Sequence, residues 1–225
     1  MSIFRIGILA LLALSACAPA ESAEEAKCAQ ETCQQTEVNE PIPDHPGDTI
    51  PPNEHPPGTP AFEMPSYDPA WELKATVYDE AARYYAANQR DFHNNRFVVV
   101  IDFSQHSSRR RLYLFDLAEG TVSRYLTTHG KYSDSDNDGY ATSFSNTPNS
   151  FKSSLGAYRT LFTYTGSNGH SLRLEGLQST NSNAYQRAIV MHPAGYVRES
   201  EDYAGRSLGC PALDPSVSFE VIEKI

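Results

Sequence analysis

Apolar positions fall into three regimes along this chain. Ile6 to Leu14 is a run of nine mostly large apolar residues behind Arg5. From residue 17 to residue 65 no period is present, and nine of the fifteen prolines lie between Pro41 and Pro65. From residue 66 onward the pattern becomes regular. Leu73, Val77, Ala81 and Tyr84 recur at helical spacing, and Asp68-Pro69 ahead of them forms a good N-cap and first-turn pair, so a helix is predicted from there to about Asn88. Arg96–Phe103 is a Val-rich apolar run of the kind expected of a strand buried on both faces. Further strands are predicted at 111–116, 121–128, 155–164, 170–174 and 187–192, with turns at Ala118-Glu119-Gly120 and Gly166-Ser167-Asn168-Gly169. Asp214-Pro215 caps a last helix running through Glu223. No internal repeat is visible, and the pattern predicts one mainly β domain with peripheral helices.

Charge sharpens the division. Ten acidic residues and one basic residue, Lys27, lie between Cys17 and Ser66, whereas the part from Tyr67 onward carries eighteen acidic and sixteen basic residues. The net charge of −10 therefore belongs mostly to the N-terminal third. The near-neutral folded part has no basic stripe, which speaks against nucleic-acid binding. Residues 1–16 read as a signal peptide, because the apolar run is too short for the roughly 20 residues of a bilayer span. Leu14-Ser15-Ala16-Cys17 resembles a bacterial lipobox, with Cys17 as the lipidated first residue of the mature chain. Ordinary cleavage after Ala18-Pro19-Ala20 is the rival. Ala18 after the cysteine resembles lipoproteins retained in the outer membrane of Gram-negative bacteria. The expected location is thus periplasmic, on a lipid anchor.

Residues 17–65 read as an acidic, Pro-rich tether, since this composition cannot bury a core and prefers extended conformations; a protein-binding proline tract is the alternative. Cys28 and Cys33 lie five residues apart, open to a small disulfide loop or to two separate thiols. His45 and His55 read as solvated.

Cys210 is the only cysteine from residue 66 to the end, and it sits in Gly205-Arg206-Ser207-Leu208-Gly209-Cys210-Pro211-Ala212. His192 stands eighteen residues upstream, at the end of an apolar strand. A lone thiol between Gly and Pro with such a His outlines a nucleophile and its base. The sharp turn would expose the sulfur and point the N–H groups of Gly209 and Cys210 at a developing oxyanion. Three rivals stand beside this. Gly205–Gly209 satisfies the G-x-S-x-G nucleophile elbow, but that fold needs a later His and none follows. Cys210 could be a buried structural thiol, or a zinc ligand with His192, His129 or His170.

Other groups invite a role. Asp134-Ser135-Asp136-Asn137-Asp138-Gly139 matches the first half of a calcium loop, yet the twelfth position is Ser145, so a solvated acidic turn is the simpler reading. Arg109-Arg110-Arg111 reads as a polar strand edge, or as a contact for anionic wall polymer. His129-Gly130 ends a strand and could line a cleft. His170 and Arg173 could meet a substrate carboxylate or form a structural salt bridge.

The stretch around His192 and Ser207-Leu208-Gly209-Cys210 resembles the catalytic signature of the L,D-transpeptidase (YkuD-like) family, in its murein L,D-transpeptidase branch. The resemblance extends over 66–225 through Ile101-Asp102-Phe103, Thr128-His129-Gly130, Ser143–Pro148, Ser154-Leu155-Gly156 and Ser171-Leu172-Arg173-Leu174. It implies an L,D-transpeptidase-like β-sandwich and acyl transfer on peptidoglycan stem peptides without metal or organic cofactor. The protein is expected to be a monomer. Cys210 would be the nucleophile, His192 its base, Gly209 part of the oxyanion hole and Ser207 a brace. His129, Gly130, His170, Arg173 and Arg206 would contact substrate. Leu208 departs from the family's His or Arg, and Ala212 from its later Arg, which bears on acceptor choice. Members continue into a short closing strand beyond the position of Ile225.

Overall fold

The computed structural model describes residues 8–11, 61–199 and 204–225. Residues 17–60 of the tether, with Cys17, Cys28, Cys33, His45 and His55, lie outside the described residues. The tether's last five residues are described and belong to the folded part: Phe62 and Met64 pack against the core cluster under the helix Ala75–Asn88, and Tyr78 donates to the Pro65 carbonyl.

Ten strands and two helices follow one another: β1 (Ile8–Leu11), α1 (Ala75–Asn88), β2 (Phe97–Ile101), β3 (Leu112–Asp116), β4 (Thr121–Tyr125), β5 (His129–Gly130), β6 (Gly156–Gly166), β7 (Gly169–Gly176), β8 (Val190–Pro193), β9 (Arg206–Ser207), β10 (Ala212–Leu213) and α2 (Pro215–Lys224). Eight strands make one mixed sheet in the order β10-β8-β7-β6-β1-β2-β3-β4, and β5 pairs with β9 in a separate two-stranded ribbon. The fold is therefore mainly β with two short helices.

The continuous apolar run of β2 has a direct cause. Successive strand residues point to opposite faces, and both faces are covered. Val98 and Val100 join Tyr113 and Phe115 of β3 in a cluster under α1, with Val77, Tyr78, Ala81 and Tyr85. Val99 and Ile101 join Leu112 and Leu114 in the cluster on the other face, which also holds Val221, Ile222 and Ile225 at the C-terminal end, and Cys210. A strand buried on both sides has no polar alternation to show.

The first helix starts later than its cap signal suggests. Asp68 does cap, accepting the Ala70 N–H at 2.9 Å, but it caps a 3₁₀ turn over Pro69–Trp71. Glu72 then turns left-handed at φ 61, and α1 begins at Ala75. Tertiary packing overrides the local signal here: Trp71 lies edge-on to Phe115 at 5.3 Å, and Leu73 is buried. The C-terminal helix follows its signal, with Asp214 accepting the Ser216 N–H at 2.8 Å.

Ile8–Leu11, inside the run read as an export signal, forms the strand between β2 and β6, parallel to the first and antiparallel to the second. A leader removed at either cleavage position would take this strand with it and leave two facing rows of backbone groups to be satisfied otherwise. Among the described residues no helix is long and apolar enough to cross a membrane.

Candidate active site

Two segments distant in sequence zip together to build the Cys210 turn. His129 pairs with Arg206 and Gly130 with Ser207 in the β5–β9 ribbon. Ahead of it, Thr127 Oγ1 donates to the Ala212 carbonyl at 3.0 Å, and Thr128 Oγ1 donates to the Cys210 carbonyl at 3.2 Å while accepting the Ala212 N–H at 3.2 Å. A third segment wedges in from the side. Ser153 Oγ accepts the Gly130 N–H at 3.0 Å and donates to the Gly209 carbonyl at 3.2 Å.

Both glycines are required by this closeness. A Cβ on Gly130 would stand 2.4 Å from the Phe151 carbonyl oxygen, and one on Gly209 would stand 2.8 Å from the Lys152 carbonyl oxygen. Gly209 also has φ 123, a conformation costly for any residue with a Cβ.

Within the turn, Ser207 is fully enclosed. Its hydroxyl donates to the Cys210 carbonyl at 2.7 Å and accepts the Gly209 N–H at 3.0 Å. Ser207 thus ties the motif together, and its burial removes it as an elbow nucleophile. The same bond occupies the Gly209 N–H, which corrects the expectation that this group points at an oxyanion. Cys210 forms no disulfide among the described residues. Its sulfur lies 3.8 Å from the Ala188 carbonyl, the geometry of a thiol donating to oxygen.

His192 lies on β8 opposite Ala212 in parallel register, two residues beyond Cys210. Its Nδ1 is 2.9 Å from the Pro193 carbonyl. A carbonyl can only accept, so Nδ1 carries the proton and Nε2 holds the lone pair, the tautomer of a base. Arg187, which the sequence reading passed over, borders the same turn. Its Nη2 lies 3.4 Å from the point where a Gly209 Cβ would be.

The remaining residues expected at the site lie in the scaffold. His129 is completely buried, so it forms no cleft wall. Arg111 is completely buried as well and is not a polar strand edge: it donates to the Thr127 and Gln105 carbonyls and, at 2.8 Å, to His129 Nδ1. A guanidinium only donates, so His129 carries its proton on Nε2, directed at Asp134 Oδ2 3.3 Å away. Gly130 packs against the 151–153 backbone. Arg206 donates to the Asp134 carbonyl at 2.8 Å and to the Lys131 carbonyl, clamping that turn. His170 meets Glu223 Oε1 at 3.0 Å and stacks against Phe219, joining β7 to α2. Arg173 is buried, donates to the Tyr185 carbonyl and sits 4.6 Å over the Tyr185 ring.

The carboxylates of Asp134, Asp136 and Asp138 lie within 4.8 Å of one another. Asp134 is engaged internally, accepting the N–H groups of Asp138 and Gly139 at 3.0 and 3.1 Å. It is therefore the pin of an acidic turn.

The Arg111–His129–Asp134 relay has a consequence for stability. Burial, then the positive charge of Arg111, push His129 down to about 3. Burial also pulls Arg111 down to about 9, still far above neutrality, so the guanidinium stays cationic. The unfolded chain binds a proton on this imidazole near pH 6.5 and the folded chain does not, so stability is complete above that pH and falls as the solution is acidified toward pH 3. Between pH 6.5 and 5 the wild type should lose about 2 kcal/mol more than His129→Gln, at roughly 1.4 kcal/mol per pH unit. Urea midpoints of the two proteins at both pH values measure this; equal acid slopes would show that His129 is already protonated in the fold.

The family model of the L,D-transpeptidase catalytic domain matches residues 70–225, more than half of the chain. The chain belongs to the L,D-transpeptidase catalytic-domain family, whose activity is of the transferase type and directed at the peptidoglycan peptides of the cell wall. No curated protein and no solved structure gives a significant match.

Proposed function

We propose that the chain is a cysteine-dependent L,D-transpeptidase with Cys210 as nucleophile and His192 as its base. The observation that carries this is the register that sets His192 opposite Ala212, two residues past the Gly209–Cys210 turn that Ser207 holds, with the Nδ1 proton of that histidine on the Pro193 carbonyl. The Cys210 thiolate attacks the carbonyl at the L-centre of the third stem residue, a diamino acid. The tetrahedral intermediate collapses with release of the terminal D-Ala, whose amine takes the proton held by His192. A thioester remains. An amine from a second stem displaces the thiolate to give a 3→3 cross-link, and water instead gives a trimmed tripeptide. The Gly209 N–H is turned onto Ser207 and Pro211 carries no N–H, so neither of them is the oxyanion donor in this turn.

The protein acts as a monomer in the periplasm, anchored by lipid on Cys17, with residues 17–65 giving the catalytic domain reach into the wall. At about 3.1 Å per residue, such a tether extends on the order of 150 Å. The mass of the mature N-terminus tests the anchor, and it bears separately on Ile8–Leu11, which leader removal would take out of the sheet.

Sacculi incubated with the purified protein, digested and analysed by mass, test the reaction. Cross-linked 3→3 muropeptides identify transfer and tripeptides identify hydrolysis. Unchanged muropeptides with both wild type and Cys210→Ala would leave a wall-binding protein without turnover.

A further inference from the structure

We infer that Arg187 is the cation that holds the Cys210 thiolate, while the adjacent Ala188 carbonyl receives the protonated thiol. The inference rests on reading Cys210 as the nucleophile and assigns a positioning residue that the sequence motif does not contain.

Arg187 is held from several sides. Its Nη1 donates to the Ser145 carbonyl at 2.8 Å and to Ser154 Oγ at 3.1 Å. Its Nη2 donates to the Lys152 carbonyl at 2.5 Å and reaches Ser150 Oγ at 3.4 Å. A guanidinium gripped this way loses little further freedom when it meets an anion, because its planar fork is already oriented. The same Nη2 lies 3.4 Å from the position of an absent Gly209 Cβ, so the missing side chain is what lets the cation approach the backbone one residue ahead of the sulfur.

The neighbouring backbone is unusual in the matching place. Ala188 has φ 56, a left-handed conformation that non-glycine residues seldom adopt and that collects at functional sites. That conformation accompanies the contact between its carbonyl and Cys210 Sγ at 3.8 Å. One dipeptide thus offers an acceptor to the S–H and a cation to the S⁻.

The charged and titratable groups that feel the charge of the sulfur come from several elements, Arg187 from the turn before β8, Arg173 from β7 and Tyr158 from β6, while His192 lies on β8 in register with Ala212. Burial lowers Arg187, whereas negative charge on Cys210 favours its charged form. Tyr158 is pushed up to about 12, chiefly by burial, and stays neutral, its hydroxyl within 2.5 Å of the Ser154 Oγ that receives Arg187. Arg173 also gains from a negative sulfur; its Nη2 is held by the Tyr185 carbonyl and its plane by the Tyr185 ring, while its buried Nε has no hydrogen bond among the described residues. What singles out Arg187 is its place beside the Ala188 carbonyl that meets Sγ and its approach to Gly209, and His192 is left to move protons while Arg187 holds charge.

Alkylation by iodoacetamide tests this without any wall substrate, because the thiolate is the reacting form. The full chain is labelled across a pH series and the Cys210 peptide is quantified by mass, which keeps Cys17, Cys28 and Cys33 out of the measurement. Wild type should show a midpoint below the value of about 8.5 for a free thiol. Arg187→Gln should raise that midpoint by at least about one unit, a tenfold loss of thiolate at neutral pH, and Arg187→Lys should recover at least half of the shift. An unmoved midpoint in folded Arg187→Gln overturns the inference and leaves Arg187 as a loop clamp. Should Arg187→Gln fail to fold by circular dichroism, His192→Ala decides: a midpoint still below the free-thiol value supports a cation other than imidazole, and one at or above it overturns the inference. Failure of the transpeptidase reading shows instead as unchanged sacculi with a normal alkylation profile.

Discussion

Wild type should gain one covalent adduct with a carbapenem-type β-lactam, and Cys210→Ser should abolish that adduct and reduce turnover of stem peptides by about 10⁴-fold or more, the scale seen when a covalent nucleophile is removed. Ser is close to Cys in size, and Cys210 is nearly but not completely enclosed, so the fold should tolerate the exchange. What changes is acidity. A serine hydroxyl remains protonated where a thiol can ionise. Intact mass of the drug-treated protein, followed by mapping of the modified peptide, reads the outcome. An adduct that persists on Cys210→Ser moves the chemistry elsewhere in the chain. It would not point to Ser207, whose hydroxyl is enclosed and tied to the Cys210 carbonyl.

His192→Ala should lower turnover by about 10² to 10⁴-fold, the usual contribution of a positioned general base. The direction follows from the tautomer. The Pro193 carbonyl keeps the proton on Nδ1 and the lone pair on Nε2, so the ring is ready to accept a proton and pass it to the leaving amine. Strand β8 should persist, because Val190 and Met191 are buried in the core and carry its register with β7. Single-turnover kinetics with a synthetic stem peptide measure the loss. Activity within a few-fold of wild type would assign the base to another group. Neither His129 nor His170 is a ready substitute: the first is enclosed between Arg111 and Asp134, the second bound to Glu223.

Much of this was legible before any coordinates. The Val-rich run of β2, the turn before β4, the Gly166–Gly169 hairpin and the Asp214 cap are local signals, and each is expressed near where the pattern puts it. The strand ends are less faithful. Residues 121–128 read as one strand, yet β4 ends at Tyr125, because Thr127 and Thr128 leave the sheet to bond the Cys210 turn. A propensity reading has no means of seeing that competition.

The sequence by itself determined the mainly β class and set out Cys210 and His192 as the candidate pair, with a short apolar run and a polar Pro-rich stretch ahead of them. These follow from composition, periodicity and short-range motif, which act over a few residues. Only the tertiary structure decided which polar groups serve the scaffold and which border the sulfur. Arg111 and His129 look like surface charge and cleft wall in the chain, and both are interior because each satisfies the other's polar atoms. Arg187 looks like an ordinary charge ahead of an apolar strand, and it reaches the turn because Gly209, twenty-two residues later, has no side chain in its way. The bond from Thr128 to the Cys210 carbonyl spans 82 positions. Contacts at such separations form only when the sheet closes, and no local pattern encodes them, since the residues that make them are chosen by a partner far along the chain.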